Sequence, residues 1–176
     1  MLQLPVCANT KFVLVGPHYP ENVGAAARAI KTMGITRLCL VAPGRLASPD
    51  HEMAAKMAVK SWDVLSGAEI CETVGDAIRG CTTVIATTAR RGQKRLLSPE
   101  EAAQTAAATA SRGEHTALLF GNEKTGLTTE QLAHTSERVR IPMAADQPSI
   151  NLAQSCQIFA YEWFREGLRQ REPRRE

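Results

Sequence analysis

The residues equipped for chemistry gather in four short segments, each following an apolar run. Gly16-Pro17-His18-Tyr19-Pro20-Glu21-Asn22-Val23-Gly24 follows the run that starts at Lys11, and Arg28 lies six residues beyond Asn22. Thr87, Thr88 and Ala89 lead into a basic cluster of Arg90, Arg91, Lys94 and Arg95. Gly121-Asn122-Glu123-Lys124-Thr125-Gly126-Leu127 is a glycine-bounded turn, through which main-chain groups can approach a ligand closely. The fourth segment runs from Pro142 to Pro148 and on through Ser149-Ile150-Asn151-Leu152. Amides, a carboxylate, hydroxyls and a guanidinium suit a site that binds and orients. If Asn22 caps a helix, Arg28 projects from its second turn and both face one pocket; the competing reading is an ordinary N-cap and a surface arginine. Ser149 and Asn151 are open to the same doubt, because Ser-x-Asn at a helix start is often only a cap.

The phosphate-cradling signatures are missing. The Gly121–Leu127 turn lacks the GK[ST] ending of a Walker loop, and no GxGxxG occurs. The cysteines (Cys7, Cys39, Cys71, Cys81 and Cys156) are odd in number and widely spaced, and no CxxC pair is present. With the histidines equally scattered, neither a structural metal nor a disulfide framework is expected. A net charge of +3 is too small to demand an acidic partner, but its distribution is uneven. Arg90 to Arg95 and the tail arginines Arg165, Arg169, Arg171, Arg174 and Arg175 form clusters able to meet phosphates. The longest apolar runs are strand-sized, and the N-terminus lacks a basic region followed by an apolar one, so a cytoplasmic protein without membrane contact is expected.

Strand and helix patterns alternate along the chain. Strands are expected at Lys11 to Gly16, Arg37 to Val41, Thr83 to Thr87, Thr116 to Phe120 and Arg138 to Ile141. Helices are expected at Glu21 to Met33, near His51 to Val59, around Val74 to Arg79, from Ser98 to Ala110, at Thr128 to His134 and from Ile150 to about Arg169. Ser98-Pro99-Glu100-Glu101 combines an N-cap, a first-turn proline and a capping-box glutamate. The alternation predicts an α/β fold, a mostly parallel sheet with helices on both faces, whose ligands bind at the carboxyl ends of the strands. Residues 1–170 read as one domain and 171–176 as the start of a linker or tail. In the last helix Leu152, Cys156, Phe159 and Trp163 form an apolar stripe, which Ile158, Ala160 and Phe164 widen beyond what one core contact needs. This predicts a self-association face.

Taken in order and spacing, NVGAAARAIKTMG, FGNEKTGL and RIP…SINLAQSCQIFAYE resemble the three motifs of SPOUT-class RNA 2′-O-methyltransferases. Within the class, the likeness is to the group acting on the tRNA anticodon loop, and it runs from about Lys11 to Arg165. The resemblance implies S-adenosylmethionine (SAM) as methyl donor, S-adenosylhomocysteine as product and a ribose 2′-hydroxyl of RNA as acceptor, tRNA before rRNA. It also implies a homodimer and a C-terminal trefoil knot, a rare topology that no sequence pattern shows. The substrate-handling roles fall on Asn22, Arg28, Glu123, Ser149 and Asn151. Cofactor contacts fall on Thr87, Thr88, Ala89, Gly121, Ile141, Met143, Pro148, Ser149 and Ile150, and RNA contacts on Arg28, Arg90, Arg91, Lys94 and Arg95. Arg28 is expected to grip a substrate phosphate and stabilise the developing alkoxide, since a guanidine is too basic to take the proton itself. Members of the anticodon-loop group carry a C-terminal helical extension, which this sequence does not include. Two competing functions remain. A Rossmann dehydrogenase lacks its glycine fingerprint here, and a non-catalytic RNA-binding module would bind no SAM.

Overall fold

The structure, a computed structural model, describes residues 2–89, 95–145 and 147–171. In chain order the elements are α1 (Pro5–Ala8), β1 (Thr10–Val15), α2 (Pro20–Thr32), β2 (Arg37–Val41), α3 (Glu52–Ala58), α4 (Trp62–Ser66), β3 (Glu69–Cys71), α5 (Val74–Ala77), β4 (Thr83–Thr87), α6 (Pro99–Ser111), β5 (Thr116–Phe120), α7 (Thr129–Ala133), β6 (Glu137–Val139) and α8 (Leu152–Arg171). The local signals act as the sequence suggests. The Ser98 hydroxyl accepts from Glu101 N and the Glu101 side chain answers at Ser98 N, and Thr128 and Gln131 form a second capping box. Nothing in the residue pattern predicted α1, α4 or β3, which are only three to five residues long. β6 is also shorter than expected and ends at Val139.

The sheet has six strands in the order β3-β2-β1-β5-β4-β6, and every pairing is parallel. From β1 the chain steps outward to β2 and β3, then crosses back to build β4, β5 and β6 on the other side. β1 and β5 are therefore neighbours at the point where strand order reverses, and the loops leaving them diverge into a crevice. On one face Phe12, Leu14, Leu118 and Phe120 pack beneath α2, α6 and α8. Trp163 anchors this layer: it is fully buried, edge-on to Phe12 and Phe159, and donates from Nε1 to Thr10 Oγ1 at 2.9 Å. On the other face Val13, Val15, Ala117 and Leu119 lie under the short α5 and α7. The sheet is covered on both sides.

The end of β6 has neighbours on both edges. Val139 O accepts from Thr88 N at 3.0 Å on the β4 side. Arg138 O and Arg140 N, which point the opposite way in an extended chain, pair with Leu97 N and O at 2.9 and 3.0 Å. Thr88 and Leu97 thus flank β6 on opposite edges.

Candidate functional site

The carboxyl ends of β1 and β5 are joined by side chains. Gly16, at φ +59°, turns the chain sharply out of β1, and its carbonyl accepts from Asn122 Nδ2 at 2.6 Å. Asn122 Oδ1 then accepts from Lys124 N and Thr125 N, closing the turn after β5. That turn requires glycine at its base, because a Cβ on Gly121 would stand 2.4 Å from the Gly126 carbonyl carbon.

Glu123 is held by donors from the other loop. Its Oε2 accepts from His18 N at 2.9 Å, and its Oε1 accepts from Tyr19 N at 3.4 Å and from Asn22 Nδ2 at 2.8 Å. The residue at the N-cap of α2 is Tyr19, which has no capping side chain, and a carboxylate from the turn after β5 stands at this helix start instead, where the dipole favours an anion. Asn22 Oδ1 in turn accepts from Asn151 Nδ2 at 3.0 Å. Asn151 also caps α8, its Oδ1 accepting from Ala153 N and Gln154 N at 2.9 and 3.2 Å. A continuous chain of hydrogen bonds, Asn151 to Asn22 to Glu123, therefore ties the segments after β1, β5 and β6 into one unit.

Beneath this chain opens a pocket of about 820 Å³. Phe120, Leu127, Leu132, Val139, Leu152 and Phe159 give it an apolar interior, and the segments 87–89, 121–126 and 148–151 give it main-chain polar groups. This combination suits a ligand with an apolar body and a few hydrogen-bonding edges. Among the described residues no group of three His, Cys, Asp or Glu is placed to hold a metal ion.

Of the residues singled out in the sequence, Asn22, Thr87, Thr88, Ala89, Gly121, Glu123, Ile141, Met143, Pro148, Ser149, Ile150 and Asn151 all line this pocket. Thr87 contributes little through its hydroxyl, which donates to Leu119 O at 3.0 Å. The pairing of Asn22 with Arg28 is corrected. Asn22 lies inside the first turn of α2 and is not its cap, and six helical residues set Arg28 about 120° around the axis from it. Arg28 is exposed and is not among the pocket-lining residues. Arg90, Arg91 and Lys94 lie outside the described residues; Arg95 is exposed. Of the three residues expected to widen the apolar surface of α8, Ala160 is fully buried in the core. The outer face is instead Ile158, Tyr161, Phe164 and Leu168, with Tyr161 49% and Leu168 38% exposed. The sequence reading missed Tyr19 and Lys124, which also line the pocket. Their only signal was position within the polar loops already noted.

The sequence profile of the SpoU rRNA methylase family matches residues 9–161. The tRNA (cytidine/uridine/adenosine-2′-O-)-methyltransferase TrmJ of Pseudomonas aeruginosa (strain UCBPP-PA14) is 38% identical over 154 residues, covering 86% of this chain and 59% of that protein. The tRNA (cytidine/uridine-2′-O-)-methyltransferase TrmJ of Yersinia enterocolitica serotype O:8 / biotype 1B (strain NCTC 13174 / 8081) is 40% identical over 158 residues, covering 88% of this chain and 59% of that protein. The crystal structure of TrmJ from Z. mobilis ZM4 superposes with a TM-score of 0.80 at 35% identity, covering 96% of this chain and 73% of that one. The chain spans 59% of the length of these two curated relatives.

Proposed function

The chain belongs to the SpoU rRNA methylase family, and on that premise we propose that it is a SAM-dependent methyltransferase acting on a ribose 2′-hydroxyl of RNA. The observation that carries this reading is the bridge from Asn151 through Asn22 to Glu123 over a largely apolar pocket. It assembles residues of all three motifs on one rim.

The pocket fits the cofactor. Its 820 Å³ lies within the range of small-molecule sites, and its apolar walls and main-chain edges match an adenine and a methionine portion. Gly121 lets the turn after β5 close against Gly126 and Leu127, which gives the pocket this edge. SAM, when bound, supplies a methyl group already activated by a sulfonium charge. The residues of the chain have to align the ribose oxygen and manage its proton. Glu123 has both oxygens engaged, so it acts as a positioning residue and not as the base. Asn151, with one amide hydrogen left over, and Ser149, exposed at the rim, are the groups offered to the ribose. Arg28 grips a substrate phosphate, and the phosphate or a water takes the proton.

The proposed acceptor is a cytidine or uridine of a tRNA anticodon loop, as the names of the relatives suggest; the family's own description points to rRNA as the alternative. We further propose that the protein is a homodimer joined over the outer face of α8, and cytoplasmic. Because α2 and α8 pack side by side on one face of the sheet, such a dimer brings the exposed side of α2 toward the second copy, and Arg28 then serves the partner's pocket. The trefoil knot is proposed with it, supported by the placing of Thr88 and Leu97 on opposite edges of β6.

The test is incubation with methyl-labelled SAM and total RNA, followed by digestion to nucleosides. Label in 2′-O-methylcytidine or 2′-O-methyluridine of the tRNA fraction is expected. Label in rRNA alone would change the substrate, and SAM binding without any transfer would overturn the activity.

A further inference from the structure

Beside the mouth of the pocket stands a group of side chains that the proposed reaction has not used. His18 and Tyr19 are both exposed, and their rings meet edge to face with centroids 4.7 Å apart. Lys124 Nζ lies 3.2 Å from His18 Nε2 and 5.6 Å from the centroid of the Tyr19 ring. On the far side of His18, Arg45 and Leu46 border a separate cleft of about 380 Å³.

The backbone holds this group in place. Gly44 N donates to Pro17 O at 2.9 Å, and a Cβ on Gly44 would stand only 3.2 Å from that oxygen, so the loop carrying Arg45 is pressed against the loop carrying His18. The same loop begins at Ala42, which holds a left-handed φ of 42°. A non-glycine residue keeps such a conformation only where its surroundings impose it. Neither Lys124 nor Arg45 has an acidic partner among the described residues. Two uncompensated cations flank an exposed aromatic pair on strand-end loops, beside a pocket of the right kind for a methyl donor. Single-stranded nucleic acid is held by this combination of a stacking platform and backbone-neutralising cations.

We propose that Tyr19, His18, Lys124 and Arg45 form the subsite for the nucleotide next to the one methylated. The base stacks on the exposed Tyr19–His18 pair, and Lys124 and Arg45 meet the flanking phosphates. The proposal rests on the RNA methyltransferase reading above.

The test uses the full chain with Arg45→Ala, Lys124→Ala, Tyr19→Ala and Tyr19→Phe, measuring KM and Kd for RNA at several salt concentrations and S-adenosylhomocysteine binding by calorimetry. Each charge removal weakens RNA binding and lowers the slope of log Kd against log salt by about 0.7. Tyr19→Ala raises KM for RNA roughly 5- to 100-fold, and Tyr19→Phe restores it. S-adenosylhomocysteine affinity stays within about twofold in Arg45→Ala, which lies outside the pocket, and in the Tyr19 and Lys124 variants it changes less than RNA affinity does, which separates RNA contact from a damaged pocket. Wild-type salt slopes and KM in variants of an active enzyme overturn the subsite and leave the methyltransferase reading intact. A wild-type protein that methylates no RNA overturns both.

Discussion

Glu123 lines the candidate site as an acid would, yet its geometry is that of an anchor. Three donors from the β1 loop converge on its two oxygens, so it spends its acceptor capacity on His18, Tyr19 and Asn22. Glu123→Gln replaces one acceptor oxygen by a donor that faces donors. We expect turnover to fall by at least about tenfold and thermal stability by about 1–3 kcal/mol, the cost of unsatisfied polar groups. Cofactor affinity should fall less than turnover. If Gln at this position keeps full turnover, Glu123 does not position the site. The thiols offer a different residue-scale result. Burial pushes Cys7 and Cys39 up to about 12 and raises Cys156 further, so these three remain protonated at neutral pH. Titration with a thiol reagent should leave them unreacted until the chain is unfolded, and rapid labelling of any of them in the folded protein would contradict their burial.

Among the elements, α2 is the one whose placement the site needs most, since it carries Asn22. Gly24 allows it to lie against α3: a Cβ there would come 2.0 Å from Ala54 O. Helix propensity favours alanine over glycine by about 1 kcal/mol, but contact with backbone at that distance cannot be relieved by a rotamer change. Gly24→Ala should therefore destabilise the fold by at least about 1–3 kcal/mol, measured by denaturant unfolding, and a stabilised variant would refute the close packing. α6 makes the opposite case, lying away from the pocket. Ser98→Ala should cost about 1 kcal/mol through loss of the capping box while leaving methyl transfer unchanged. Hydrogen bonds from the Ser98 backbone and side chain hold the Glu101 carboxyl below its ordinary value of 4.5. A depressed carboxyl stabilises the fold above its unfolded value, so this contribution is complete above about pH 4.5 and fades as acid protonates the group. Elements were readily legible in the sequence for the same reason that α6 is simple: caps, proline at the first turn and apolar periodicity are local. α4 and β3 were not, because a five-residue helix and a three-residue edge strand carry too few residues for a period to show.

At the scale of the whole molecule the open question is what Arg28 acts on. It is exposed and outside its own pocket, while Ile158, Tyr161, Phe164 and Leu168 leave an apolar strip on the neighbouring helix. A dimer over α8 accounts for both. Light scattering at micromolar concentration should then give twice the monomer mass. Arg28→Ala and Asn151→Ala should each abolish turnover while keeping SAM binding. Mixing the two inactive variants under conditions that exchange subunits should restore part of the activity, because one site in the hybrid is whole. A monomer, or a hybrid without activity, would count against the shared site.

The sequence by itself determined the alternation of strands and helices, the caps and the polar segments at the strand ends, because hydrogen bonding and periodicity act within a few residues. Spacing along the chain left open whether Asn22 and Arg28 face one pocket, and there it was insufficient. Only the tertiary structure set β1 beside β5, so that a carboxylate 101 positions away meets Asn22, and turned Arg28 outward. It alone set Thr88 and Leu97 on opposite edges of β6. Strand order follows from which apolar faces pack together across the whole chain, and that information belongs to no single segment.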